Sequence, residues 1–253
     1  MLHRHLVGAL IAVVAIFALS GLALAQEDAA SLIKKGDDLY LARSGSLDSV
    51  KKAIEVWEKA SALDPKSEEP LYKISMGYYY LGRFTDQKND ELTLFTKGKE
   101  YGEKAVALNP NSSPSQYWVA VNIGKWGEAK GIMKSLSMVK PMRDHLEKAE
   151  KADPRYFFGG PARVLGRLYF KAPSVISIGD KKKAEEYLRK SLQLSPDYSL
   201  TMLYLAEVLA DSGKKDEAKT LCEKIQSLSP MPGFERELAN DKAEARKLQE
   251  KIH

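Results

Sequence analysis

Apolar positions fall into two regimes along the chain. From Leu6 to Ala25 they run almost unbroken, with Ser20 the one polar interruption and Arg4 ahead of them. The run ends in Ala23-Leu24-Ala25, a small-x-small pattern suited to signal peptidase, and the charged stretch Gln26-Glu27-Asp28 follows at once. This predicts a secretory signal peptide over residues 1–25, cleaved after Ala25, and a single domain over 26–253 that is periplasmic or secreted. The alternative is an uncleaved leader that anchors the protein to the membrane, since about 20 apolar residues span a bilayer. Further along, apolar residues are spaced among charged ones. Phe234, Leu238, Ala245, Leu248 and Ile252 recur at helical intervals while the other face of 234–252 is almost wholly charged, the pattern of a helix that caps a stack.

Between these ends one phrase recurs: Leu63-Asp64-Pro65, Leu108-Asn109-Pro110, Ala152-Asp153-Pro154, Leu194-Ser195-Pro196 and Leu228-Ser229-Pro230. Each reads as a helix that runs to the Leu or Ala, a small polar residue that leaves helical geometry, and a proline that blocks continuation and favours a new start. The prolines are 45, 44, 42 and 34 residues apart, and the last step is the tetratricopeptide period. Small residues stand where two antiparallel helices of such a repeat cross: Gly77 and Ala105, Gly166 and Ala184, Ala206 and Ala218, with Ala53, Trp57 and Ala60 in the first unit. From about residue 30 to 230 the chain therefore resembles the tetratricopeptide family. The expected fold is all-α, a helical-hairpin solenoid with long inter-helix insertions and a C-terminal capping helix.

The longer steps place insertions at 84–94, 124–141 and 170–180, and insertions gather where such stacks bind. The segment 124–141 is expected to be a connection far longer than a tight turn, carrying Met133, Met138, Val139 and Met142 at its end. Beside it, Tyr117, Trp118, Asn122, Lys125 and Trp126 stack aromatic and polar groups on two helical turns, a composition suited to a ligand-lining surface. The competing role for Trp118 is the large packing residue of its repeat. Gly159-Gly160-Pro161 permits an unusual turn ahead of a helix, where Arg163 and Arg167 share one face. They suit a carboxylate partner or pairing with acids of the next helix. The candidate ligand- or partner-binding set is Tyr117, Trp118, Asn122, Trp126, Arg163, Arg167, Tyr169 and Ile176.

Composition narrows the chemistry. One cysteine and four histidines, two of them at positions 3 and 5, leave no disulfide within the chain and almost no material for a metal site. His145 lies on a charged helix face, so nothing supports a nucleophilic or acid–base device, and neither enzyme activity nor a cofactor is expected. A net charge of +5 dispersed over a chain with 29% charged residues argues against nucleic acid.

The succession Tyr117-Trp118, Asp153-Pro154-Arg155-Tyr156, Gly159-Gly160-Pro161, Arg163, Leu165-Gly166, Ala172-Pro173, Gly179-Asp180 and Ala184 resembles the T component of tripartite ATP-independent periplasmic (TRAP) transporters. More distantly, the extended helices and aromatic third repeat are similar to the regulator of microtubule dynamics proteins. The first resemblance implies an oligomeric periplasmic protein with a central pore or an apolar pocket and a solute-binding protein as partner. The expected function is thus an exported, non-enzymatic scaffold that binds a protein partner or an apolar organic solute. The alternative is a structural adaptor for envelope assembly that recognises peptide segments and has no small-molecule ligand.

Overall fold

Every proline phrase closes a helix. In a computed structural model that describes residues 27–252, apart from the side chains of Lys88, Ile132 and Lys134, α2 (Leu47–Leu63), α4 (Lys88–Leu108), α6 (Ile132–Ala152) and α8 (Lys181–Leu194) each stop at the residue before the small polar one. The capping residues Asp64, Asn109 and Asp153 have left helical geometry. Their side-chain oxygens accept hydrogen bonds from the backbone N–H two residues on, at 3.2, 3.2 and 2.9 Å. That local bond folds the chain around the proline and into the next helix. The signal peptide lies outside the described residues.

The openings that follow are α3 (Glu69–Phe84), α5 (Ser113–Lys130), α7 (Tyr156–Lys171) and α9 (Ser199–Asp211). With α1 (Ala29–Leu41), its trailing 3-10 turn Ala42–Ser44, α10 (Lys215–Ser227) and α11 (Glu235–Lys251), the described residues form five antiparallel pairs and a final helix. This is the tetratricopeptide architecture. Its crossings are where the small residues stand: Ala53, Ala105, Ala184, Ala206 and Ala218 are wholly buried. A Cβ on Gly166 would come within 2.6 Å of Leu188 on α8, so α7 and α8 approach at a distance only glycine permits.

Two of the three expected insertions are helix. Only residues 85–87 separate α3 from α4, and α5 and α6 are joined at Gly131 alone. Gly131 adopts φ 95°, ψ 174°, a conformation essentially confined to glycine, which reverses the chain in one residue. Pro141 sits within α6 at the loss of one backbone hydrogen bond. The extra residues of the third repeat thus lengthen a hairpin. The third insertion is irregular, tied down where the N–H of Asp180 meets the carbonyl of Tyr169 at 2.9 Å.

The ends of the stack meet. Arg43, in the 3-10 turn after α1, pairs with Glu237 of α11 at 2.9 Å across 194 positions of sequence, and both are buried. Ser44 Oγ donates to the carbonyl of Gly233 at 2.9 Å. Arg83, at the end of α3, reaches Asp241 at 3.3 Å. The capping helix therefore closes the superhelix onto its first repeats and does not merely cover its last.

Candidate functional site

Two aromatic residues of α5, Tyr117 and Trp118, belong to the core between α5 and its neighbours. Tyr117 and Trp118 are 3% and 1% exposed. Trp118 donates its indole N–H to Tyr156 Oη at 2.7 Å, and its ring meets Phe157 edge-on at 4.9 Å. Asn122 is wholly buried; its amide donates to the carbonyls of Ser75 and Trp118, both at 3.0 Å, tying α5 to α3. Trp118 and Asn122 are joints of the repeat, with neither side chain turned to solvent. Trp118 takes the packing position, and Asn122 has no route to a ligand. His145, expected on a charged face, is half-buried with Nδ1 2.5 Å from Gln116 Oε1, and burial lowers its pKa, aided by the nearby Lys148.

Gly159-Gly160-Pro161 does build an unusual turn, and it begins earlier than glycine alone requires. Phe157, Phe158 and Gly159 all adopt left-handed geometry, with φ of 45°, 60° and 67°. For two phenylalanines this costs on the order of 1–2 kcal/mol each. Arg163 holds the turn from within. Although 1% exposed, its guanidinium donates to the carbonyls of Phe157 and Phe158, at 3.3 and 3.0 Å, and to Tyr117 Oη at 3.0 Å. It also lies 4.5 Å over the Tyr198 ring. Burial pushes the Tyr117 phenol up to about 12 against the pull of Arg163. A Cβ on Gly160 would strike the Tyr117 ring at 2.7 Å, so the start of this helix is closed over and has no room for an anion.

Arg167, one turn further on, faces a cleft. It pairs with Glu207 of α9 at 2.5 Å, an acid two helices on and not one of the next helix as the sequence alternative had it, and its guanidinium lies 4.1 Å over Tyr204. Between the α5–α6 hairpin and α7 is an open cleft of about 520 Å³, walled by Leu136, Met138, Val139, Met142, Leu168 and Pro173. Gly124, Glu128, Met142, Arg167 and Lys171 also line a second hollow of about 350 Å³ that reaches Tyr79, Tyr117 and Tyr204. The result is a trough, apolar at one end and carrying Lys125, Arg167, Lys171 and Glu128 at the other. A volume of this order accepts several side chains or one small organic molecule.

Three candidates lie elsewhere. Trp126 stands on α5 two residues past Gly124, about 200° round the helix from that wall, with Lys130 5.9 Å over its ring. Tyr169 stacks on Tyr187 of α8 at 5.6 Å, inside its own repeat. Ile176 and Val175 are 70% and 92% exposed, so their loop closes no cavity with Tyr117 and Trp126. Conversely, Tyr79, Tyr204 and Lys171 join the trough without any local signal, and Glu207 pairs with Arg167 and Lys171 at its edge. Each occupies an ordinary helical position that only the curvature of the stack turns inward.

The model of the family "Regulator of microtubule dynamics protein 1-3" matches residues 32–174, more than half the chain, and a tetratricopeptide repeat model matches residues 179–231. Regulator of microtubule dynamics protein 3 of Rattus norvegicus is 24% identical over 80% of this chain and 45% of its own length. A TPR repeat-containing protein of Methanocaldococcus jannaschii is 30% identical over 82% of this chain and 32% of its own. The chain thus spans less than half the length of these relatives. Among solved structures, a tetratricopeptide protein of Thermus thermophilus superposes with a TM-score of 0.65 at 22% identity, covering 87% of this chain and 99% of that one, a likeness of fold.

Proposed function

The chain belongs to the regulator of microtubule dynamics family, and we propose that it is a non-enzymatic interaction scaffold whose working surface is the trough between the α5–α6 hairpin and α7. The observation that carries this reading is the division of the trough. Met138, Val139 and Met142 offer an adaptable apolar wall, while Arg167 and Lys171 stand beside it, both contacting the single carboxylate of Glu207. Such a surface suits a protein segment that presents apolar side chains next to an acidic group. The cleft is open, which favours a segment entering from outside over a solute enclosed within. An apolar organic solute is the second reading, supported by the same methionines.

The narrower setting is also a proposal. Export by the leader at 1–25, with cleavage or membrane anchoring, rests on the pattern of those residues. A place beside a TRAP-type transporter, with a periplasmic solute-binding protein as partner, rests on the phrases between residues 117 and 184.

The trough is tested by replacing Met138 with a photo-crosslinking amino acid and recovering what it captures in the native host. Met142→Asp should reduce capture of a partner about tenfold or more, since it puts a charge on the apolar wall, while helicity stays unchanged. Trp126→Ala should leave capture intact. Capture that survives Met142→Asp would remove the trough as the binding surface, and a crosslinked small molecule in place of a protein would favour the solute reading.

A further inference from the structure

A capping helix ordinarily buries apolar side chains, yet two of the four residues that α11 buries are carboxylates, Glu237 and Asp241 beside Leu238 and Ala245. They enter a groove formed by the first repeats and α9. Arg43 receives Glu237 at 2.9 Å; Arg83 and Ser199 Oγ receive Asp241 at 3.3 and 2.7 Å. One residue before the helix, Phe234 fills an aromatic box. Its ring meets Phe158 edge-on at 5.5 Å, and Arg43 lies 4.2 Å over it. The left-handed turn at 157–159 supplies one wall of that box, because Phe158 stacks on Tyr198 at 4.7 Å.

The fit of α11 is incomplete. Glu237 Oε2 and Tyr80 Oη are both buried without a hydrogen-bond partner, and each such orphan is costly. Burial holds the carboxyls of Glu237 and Asp241 above the ordinary range, with Arg43 and Arg83 only partly offsetting it. The link from α10 is an irregular stretch with Pro230, Pro232 and Gly233, so α11 is not continuous with α10, although its Ala245 packs into the core of the last repeat.

We propose that this groove is a docking site for a partner helix bearing an aromatic residue with carboxylates three and seven positions further on, and that α11 occupies it in cis as a displaceable stand-in. The two arginines and the aromatic box set that pattern, since they receive Phe234, Glu237 and Asp241 at just that spacing. A partner helix that also satisfied Tyr80 Oη would displace α11. This site is distinct from the hairpin trough, and Met142→Asp leaves it untouched.

The probe is a fluorescent synthetic peptide with the sequence of residues 232–252. In the full-length chain, the double substitution Glu237→Lys and Asp241→Lys weakens the cis helix and frees the groove. The variant should bind the peptide at least about tenfold more tightly than the unmodified chain does, because the open groove is no longer a minor population. A peptide carrying the same two lysines should not bind. In the unmodified chain, α11 amides should exchange hydrogen well ahead of those of α5 and α9. Equal peptide affinity for the two chains overturns the proposal. So does a variant that dimerises and takes up no peptide, which would give the groove to a second copy. Should the variant fail to fold, exchange in the unmodified chain decides: α11 amides as protected as those of α9 would make the helix a permanent part of the fold.

Discussion

A guanidinium removed from water ordinarily requires a carboxylate, but the hydrogen bonds of Arg163 go to two backbone carbonyls and a phenol. The left-handed Phe157 and Phe158 explain why. Their carbonyls point inward because of that geometry, and a fork of N–H donors is the group that can satisfy several at once. Arg163→Met keeps much of the volume and removes the donors, and should cost about 3 kcal/mol or more in urea unfolding. Arg163→Lys should recover only part of that, since an ammonium cannot reproduce the fork. The sequence marked the turn through Gly159-Gly160-Pro161 and placed Arg163 near it. It could not reveal that the two residues before the glycines share the strained geometry, because that depends on Arg163 and the rings of Trp118 and Tyr198 acting together.

At the scale of elements, helix ends were legible and helix lengths were not. An Asp, Asn or Ser followed by proline acts within a few residues, so the phrases at 63–65, 108–110, 152–154 and 194–196 mark α2, α4, α6 and α8 to the residue. The segment 124–141 suggested a connection because glycines, a proline and irregular apolar spacing all weaken a helix locally. Packing overrides them: α5 and α6 support each other along the hairpin, and Gly131 alone makes the reversal. A Cβ at Gly131 would meet nothing within 4 Å, so Gly131→Ala tests backbone geometry by itself. It should cost about 1–3 kcal/mol. The loss should be concentrated at the hairpin, with faster hydrogen exchange in 124–138 and little change in α2.

For the whole molecule the deciding feature is closure. Arg43 and Glu237 form a buried pair between the ends of the stack, so Arg43→Met and Glu237→Gln should each destabilise the protein, while the double variant should cost clearly less than the two losses combined. A double-mutant cycle by chemical denaturation measures this, and strict additivity would mean that the ends do not depend on one another. The sequence by itself determined where the helices end, their pairing into hairpins and the amphipathic cap, because capping residues, prolines and small crossing residues act on neighbours a few positions away. Only the tertiary structure decided that the cap reaches back to the first repeats and that Arg167, Lys171, Tyr204 and Tyr79 converge on one trough. Those outcomes depend on the small rotation between successive helix pairs, which accumulates along the stack and leaves no mark on any single stretch of residues.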